Sequence, residues 1–144
     1  MTFSLSKINA KKHKGLILKE LIGVAIEQSK EVMADLNAEQ INKGIKADGT
    51  EMPDYSLRSV VQYNKPYGPI KLRDTGAWQA GIYVTVSGDN VVFASTDDKD
   101  EMLRERYGEN IEGLSEKYKA EAIREAIQPA FKKGIEAATG LKMR

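Results

Sequence analysis

Residues 82–95 read IYVTVSGDNVVFAS. In this stretch the apolar residues Ile82, Val84 and Val86 alternate with residues that tolerate solvent, and such a period of two is typical of a strand with one buried face. Residues 87–90, SGDN, have the composition of a tight turn, and a second apolar run follows them. The stretch therefore predicts an antiparallel β-hairpin at about residues 82–95.

A long helical pattern precedes the hairpin. From about residue 15 to residue 46, apolar side chains recur at spacings of three and four, which places them on one face of a helix. The pattern fits one helix, or two helices with a break near Asn37. We expect its apolar face to form part of the core, or alternatively a face shared with a neighbouring subunit.

Two further helices are predicted after the hairpin. The first is capped by Thr96, carries acidic residues in its first turn, where they favour the positive end of the helix dipole, and ends at Gly108. The second covers residues 115–139 with Ser115 as its cap. Pro129 lies inside it, and since proline removes one backbone hydrogen bond, the helix should kink or restart there.

The hairpin and the helices together predict the fold class. An isolated hairpin is marginal in water, so Leu72 and its neighbours are candidates for a third strand, and the sheet needs a helical layer. The predicted fold is α+β, with long N-terminal and C-terminal helices packed on a small antiparallel β-sheet.

The composition indicates a single globular domain over residues 1–144. Of the 144 residues, 41% are hydrophobic and 30% are charged, and the net charge is +1, which indicates neither nucleic acid nor an anionic membrane as partner. The absence of cysteine excludes disulfides, thiolate metal sites and a cysteine nucleophile. The sequence shows neither a signal peptide nor a membrane span, so we expect a cytoplasmic location without membrane contact.

Basic residues cluster near the N-terminus around the single histidine, His13. They are Lys7, Lys11, Lys12 and Lys14. Because these ammonium groups would repel a metal ion, and because one histidine cannot build a multi-histidine zinc site, His13 is not expected to act in catalysis. Residues 1–14 are interpreted as a solvated helix start or a mobile basic arm. A phosphate-binding patch is the alternative.

Residues 47–71 form a segment rich in proline, glycine and tyrosine. The composition predicts a long, extended or irregular loop that contains a short helix over residues 56–63 with Ser56 as its cap. Loops longer than about 12–15 residues are uncommon in compact domains unless they bind something, and the alternative is a surface loop tethered by its own tyrosines. The candidate protein-interaction residues are Met52, Tyr55, Arg58, Tyr63, Tyr67 and Lys71.

The triplet Asp74-Thr75-Gly76 allows two interpretations. It resembles the active-site triplet of retroviral-type aspartic proteases, in which one carboxylate from each subunit of a homodimer shares a proton. That fold is all-β, whereas helical periodicity covers about half of this chain, and the charged Arg73 directly precedes the aspartate. We therefore interpret Asp74 as the N-cap of a short helix at about residues 75–80.

No other pattern predicts a catalytic, cofactor or metal site. The acidic residues at 97–101 lack the glycine and the bidentate glutamate of a calcium loop. The glycines near the hairpin flank a strand rather than opening a helix, so they do not form a phosphate-binding loop. We expect a protein that is not an enzyme and that uses neither cofactor nor metal.

Several short motifs follow one another between residues 47 and 114. They are Asp48-Gly49-Thr50-Glu51-Met52-Pro53-Asp54-Tyr55-Ser56, Leu72-Arg73-Asp74-Thr75-Gly76 before Trp78, Ser95-Thr96-Asp97-Asp98-Lys99, Arg106-Tyr107-Gly108 and Ile111-Glu112-Gly113-Leu114. In this order they resemble the motifs of small phage proteins of the tail-completion and virion-morphogenesis type, which act at the head–tail joint or the tail end. The resemblance implies a structural virion protein that works as a ring or in contact with one.

The resemblance also implies partners and a location. The partners would be portal or connector, neck or tail-tube proteins together with further copies of the chain, and the protein would occur in the virion and, during assembly, in the host cytoplasm. A loop that orders on docking, here residues 47–71, suits such a role. The alternatives from other classes are an aspartic protease that uses Asp74 in a homodimer and a nucleic-acid-associated binding module.

Overall fold

The fold is taken from a computed structural model that describes residues 12–87 and 90–140. The N-terminal cluster at Lys7 and Lys11, and the turn residues Gly88 and Asp89, lie outside the described residues. The helices are α1 (Lys12–Gln28), α2 (Lys30–Asn42), α3 (Leu57–Tyr63), α4 (Ala77–Ala80), α5 (Asp100–Tyr107), α6 (Glu116–Ala122) and α7 (Gln128–Thr139), and the strands are β1 (Ile82–Ser87) and β2 (Asn90–Ser95). This is the predicted α+β arrangement, with helices at both ends and a small sheet between them.

The predicted hairpin is confirmed. Strands β1 and β2 pair antiparallel, from Ile82 opposite Ser95 to Ser87 opposite Asn90. Along β1 the alternate residues Ile82 and Val84 are buried, as the period of two requires. The third strand expected near Leu72 is not formed. Leu72 is buried outside both strands with a φ of 51°, a conformation incompatible with extended pairing.

The N-terminal helical pattern forms two helices, and the predicted break and end are corrected. The break falls at Ser29 rather than near Asn37, and the second helix ends at Asn42 rather than at residue 46. The Ser29 hydroxyl donates a hydrogen bond of 2.7 Å to the Ala25 carbonyl, so it competes with the helical backbone for this acceptor.

Two buried side-chain amides on α2 hold residues 111–115, which follow α5, in place. Asn37 donates to the Ile111 carbonyl at 3.2 Å and accepts from the Gly113 amide at 2.9 Å. Gln40 accepts from the Ser115 amide at 2.7 Å. Both side chains are fully buried. Because each buried polar group left unpaired would cost about 1–3 kcal/mol, these bonds fix the position of residues 111–115 against α2.

The C-terminal helical region restarts near Pro129, as predicted. A π-helical turn over Ile123–Ile127 separates α6 from α7, and Pro129 lies in the first turn of α7, where its missing N–H is not needed. Helix α7 ends at Gly140, whose φ of 70° is the left-handed conformation common after helices.

The core consists of two adjoining clusters of buried side chains. The first cluster lies between the helices at both ends and β1, and contains Ala25, Met33, Leu36, Val84, Leu114, Tyr118, Ala122 and Ile127. The second cluster contains Ile41, Met52, Leu72, Trp78, Ile82 and Ile111. Ala34 and Phe93 pack against both, so the clusters form one continuous interior.

Two of the predicted helix caps need correction. Helix α5 begins at Asp100 with Lys99 in the cap position, so Thr96 is not a cap. A turn in which the Asp97 carboxylate accepts from the Lys99 amide at 2.8 Å precedes the helix instead. Ser115 does occupy the cap position of α6, with extended backbone, but its side chain makes no capping hydrogen bond.

Within residues 12–87 and 90–140, no helix has both the length and the apolar character that a membrane span needs.

Candidate protein-interaction site

Residues 47–71 form a closed arm rather than an irregular loop. Three backbone hydrogen bonds hold its base and close it. At its base the Met52 amide donates to the Gly44 carbonyl at 2.7 Å, and further out the Ile70 amide donates to the Pro53 carbonyl while the Tyr55 amide donates to the Gly68 carbonyl, both at 2.9 Å. Helix α3 lies beyond these bonds, between Tyr55 and Gly68, at the tip of the arm. The sequence predicted the segment and its short helix but not this pairing.

The base of the arm belongs to the core, which corrects the prediction for Met52. This residue is 2% exposed and packs in the second cluster, so it cannot contact a partner. Tyr55 is half-buried, and its hydroxyl accepts a hydrogen bond of 3.2 Å from the Lys71 amide. Tyr55 and the Lys71 backbone therefore tether the arm, as the alternative interpretation of the tyrosines proposed.

The tip of the arm, by contrast, lies in solvent. Helix α3 buries none of its side chains, and Leu57 is 74% and Val61 81% exposed. The predicted interaction residues Arg58, Tyr63 and Tyr67 are exposed beside them. We call this set of five residues the arm tip. The apolar spacing of four between Leu57 and Val61 is the sequence signal that could have identified these two residues.

Local sequence explains why α3 forms at the tip. The Ser56 hydroxyl accepts a hydrogen bond of 3.1 Å from the Ser59 amide, so Ser56 caps the helix as predicted. At the other end Asn64 takes the left-handed conformation with a φ of 52°, which asparagine tolerates better than most residues. The arm thus presents a short, capped helix with Leu57 and Val61 facing solvent.

A cleft of about 420 Å³ lies between the arm and α5. Its apolar lining includes Leu72 and Trp78 from the second cluster, and the aromatic side chains of Tyr63 and Tyr107 stand at its walls. Its charged lining comprises the four basic residues Lys65, Arg73, Lys99 and Arg106 and the two acidic residues Asp74 and Asp97. We call this the arm cleft. It combines an apolar floor with a basic rim.

Asp74 does not cap α4, contrary to the prediction. Gly76 occupies the cap position with a φ of 82°, and the Ala77 amide donates instead to the Thr75 hydroxyl at 3.3 Å. The Asp74 carboxylate is exposed and lies 3.4 Å from the Lys65 ammonium and 3.7 Å from that of Lys99. The helix begins two residues later than predicted, which leaves Asp74 too far from its amides to cap them.

A buried group of polar side chains supports the cleft from below. Asp100 accepts hydrogen bonds from the Trp78 indole at 2.8 Å and from Arg104 at 3.1 Å. Burial, followed by the hydrogen bond to Asp100 and the charge of that residue, raises the pKa of Glu112 to about 8. Burial alone would raise the pKa of Asp100 as well, but the hydrogen bonds from Glu112, Trp78 and Arg104 together hold it below its usual value. At neutral pH the proton therefore resides on Glu112.

This polar group has a structural role that the sequence did not reveal. The indole hydrogen bond to Asp100 joins Trp78 in the cleft floor to α5 in the cleft wall, and Arg104 of the same helix binds the other oxygen of Asp100. The sequence predicts Asp100 only as an acidic residue of a first helical turn. Asp100 forms a carboxyl pair with Glu112, which lies 12 residues further along the chain. No local sequence pattern indicates such a contact.

Among the residues that the structure describes, no three His, Cys, Asp or Glu side chains are grouped so that they could hold a metal ion. The arm tip and the arm cleft are the candidate functional surfaces. No protein-family model, curated protein or solved structure matches the chain.

Proposed function

We propose that this chain is a structural phage virion protein that acts in head–tail joining, in the neck or in tail completion, and that it docks through the tip of its arm. The observation that carries the proposal is that α3 has no buried side chain while Leu57 and Val61 are exposed. A helix of seven residues is far too short to be stable by itself in water. Packing against another protein would supply the missing stabilisation.

The motifs that carry the resemblance support the assignment of docking to the arm tip. In the first motif Asp48 accepts hydrogen bonds from Thr50, Met52 enters the second cluster and Tyr55 tethers the arm. In the second motif Leu72 and Trp78 are buried in the same cluster. The motifs therefore fix the arm to the body, and the tip between them is left to contact a neighbour.

The chemistry of the tip fits docking into a groove of another virion protein. Leu57 and Val61 stand one turn apart on α3, which is the spacing of anchors that a helix inserts into an apolar groove. Tyr63, Tyr67 and Arg58 add the residue types on which binding energy concentrates at protein interfaces. The partners proposed are portal or connector, neck or tail-tube proteins, met in the host cytoplasm and retained in the virion.

The two alternatives draw less support from the site. An exposed Asp74 between two lysines differs from the packed apolar surroundings in which a pair of carboxylates shares a proton. For a nucleic-acid-associated module, the basic rim of the arm cleft is the relevant feature, but its apolar floor and two carboxylates suit a protein partner better.

The experiment compares particle assembly with two variants. Leu57→Ser/Val61→Ser removes the apolar anchors, and Val92→Ser removes an exposed valine of the sheet as the matched control. We expect both proteins to fold, and the arm-tip variant alone to lose at least about 30-fold in incorporation into particles, as loss of interface anchors does. Normal incorporation and normal infectious yield with the arm-tip variant would contradict the proposal. Loss of yield with Asp74→Asn instead would favour the protease.

A further inference from the structure

The outward side of α2 carries a second unusual surface. Glu31, Asp35 and Glu39 are exposed at spacings of four, so they lie on one face of the helix, and Val32 is exposed beside them. Glu39 is paired with Lys43 at 3.0 Å. Glu31 and Asp35 form no ion pair with any residue in the described part of the chain. We call Glu31, Val32 and Asp35 the acidic face.

The arm cleft has the opposite character. Of its two carboxylates, Asp74 already lies between Lys65 and Lys99, and Asp97 accepts a hydrogen bond from the Lys99 amide. Arg73 and Arg106 also line the cleft, and neither forms an ion pair with a described residue. The Arg106 guanidinium rests 5.5 Å from the centre of the Tyr107 ring. These two guanidinium groups lack a carboxylate partner among the described residues, and they lie beside an apolar floor. A ligand that presents carboxylates around an apolar side chain would complement both features.

The acidic face offers that combination, but it cannot reach the cleft of its own chain. The second cluster lies between the two surfaces. Ile41, on the inward side of α2, packs in this cluster with Trp78, which forms the cleft floor on the other side. The acidic face is on the outward side of α2, away from the cluster. The two surfaces therefore point away from each other and can meet only between two molecules.

We propose that the acidic face of one copy of this chain docks into the arm cleft of a second copy. Carboxylates of Glu31 and Asp35 pair with the guanidinium groups of Arg73 and Arg106, and Val32 covers the apolar floor. Because the contact joins two different surfaces, it is head-to-tail, and repeated copies close into a ring or extend as a filament. The inference rests on the proposed assembly function and supplies the surfaces through which copies associate.

Charge reversal on each surface tests this contact. Glu31→Lys/Asp35→Lys reverses the acidic face, and Arg73→Glu/Arg106→Glu reverses the cleft. Glu116→Lys/Glu125→Lys changes the net charge as much as the first variant, but on exposed residues elsewhere, and serves as its control. Self-association is measured by sedimentation velocity and native mass spectrometry, with each protein at the same concentration and at low and high salt.

The expected pattern is specific to a head-to-tail contact. The wild type and the control associate, and more weakly at high salt. Each reversed variant alone associates at least about tenfold more weakly, because like charges then face each other. An equimolar mixture of the two reversed variants recovers association, since the reversed face of one fits the reversed cleft of the other.

Three results would overturn the inference. They are a wild type that stays monomeric at the highest concentration reached, reversed variants that associate like the wild type, and a mixture that stays monomeric. Cleft-dependent binding of a single-stranded oligonucleotide by a monomeric wild type would assign the cleft to nucleic acid instead. None of these results depends on Leu57 or Val61, so the particle assay decides the proposed function separately.

Discussion

At the scale of single residues, Trp78 shows how one side chain connects the parts of this molecule. Its ring is buried in the second cluster and forms the floor of the arm cleft, and its indole N–H bonds to Asp100 on α5. Asp74, only four positions earlier, is exposed and paired with lysines. The sequence interpretation gave Asp74 the structural role and left Trp78 without one, because the bond between Trp78 and Asp100 spans 22 residues.

The raised pKa of Glu112 leads to a prediction about stability and pH. The folded protein holds this proton up to a pH of about 8, whereas the ordinary pKa of the group is 4.5. Between these values the folded state binds more protons than the unfolded chain, so the free energy of unfolding should fall as the pH rises from about 4.5 to about 8. The slope from this group is at most about 1.4 kcal/mol per pH unit.

Glu112→Gln tests this prediction because the amide stays neutral and can still donate a hydrogen bond to Asp100. We expect its urea-unfolding free energy to exceed that of the wild type by more at pH 8 than at pH 5. Glu109→Gln is the control, since Glu109 is exposed and acts on Glu112 only through its charge. An identical pH dependence in the wild type and in Glu112→Gln would show that the carboxyl pair does not share a proton in this way.

At the scale of elements, local patterns predicted what local chemistry determines. The alternating side chains predicted the hairpin, Pro129 predicted the restart of the last helix, and Ser56 predicted the start of α3. The break at Ser29 was not predicted, because the apolar spacing continues across it. The sequence also does not show that the Ser29 hydroxyl donates a hydrogen bond to the Ala25 carbonyl.

The candidate site was predictable only in part, for the same reason. Tyr63, Tyr67 and Arg58 were chosen by residue type, and they are exposed at the tip. Met52 was chosen too, but it is buried, because its backbone pairs with Gly44 beside the end of α2 and its side chain packs in the core. Contacts between segments distant in sequence decide which arm residues face inward, and composition carries no information about them.

The junction between the arm and α2 gives a prediction at this scale. Gly44 has a φ of +73°, and a Cβ atom added there would lie 2.5 Å from two side-chain carbons of Pro69 in the arm. Gly49 has a φ of +84° but open space around the same position. Alanine at either site incurs the left-handed strain of roughly 1–2 kcal/mol. Only Gly44→Ala also displaces the arm.

We therefore expect Gly44→Ala to lower the free energy of unfolding by about 1–3 kcal/mol more than Gly49→Ala, the usual cost of overpacking. Urea denaturation of the two variants beside the wild type gives the difference directly. Equal losses in the two variants would mean that the arm can move away from α2 without cost, and hence that its base is not held as the hydrogen bonds indicate.

At the scale of the whole molecule, the chain divides into a packed body and a tip that the body does not stabilise. Met52 at the base of the arm and Leu72 directly after the arm belong to the second cluster, whereas α3 contributes nothing to either cluster. The helix is held by its cap, its own backbone, the hydrogen bond between the Arg58 and Gln62 side chains and the closed arm around it. A docking element with this construction should be locally unstable until a partner covers it.

Hydrogen exchange tests that division, with α5 as the matched helix. The two helices are close in length, Leu57–Tyr63 against Asp100–Tyr107, but α5 is anchored through buried Asp100 and through Leu103 and Tyr107 at the second cluster. We expect the amides of α3 to exchange at least about tenfold faster than those of α5 in the free protein, because a helix this short is marginal without packing. Comparable protection of the two helices would show that the arm is rigid without a partner.

If α3 exchanges fast in the free protein and becomes protected when the protein is incorporated into particles, its folding is coupled to docking. The exposed Leu57 and Val61 are then the anchors that the partner buries.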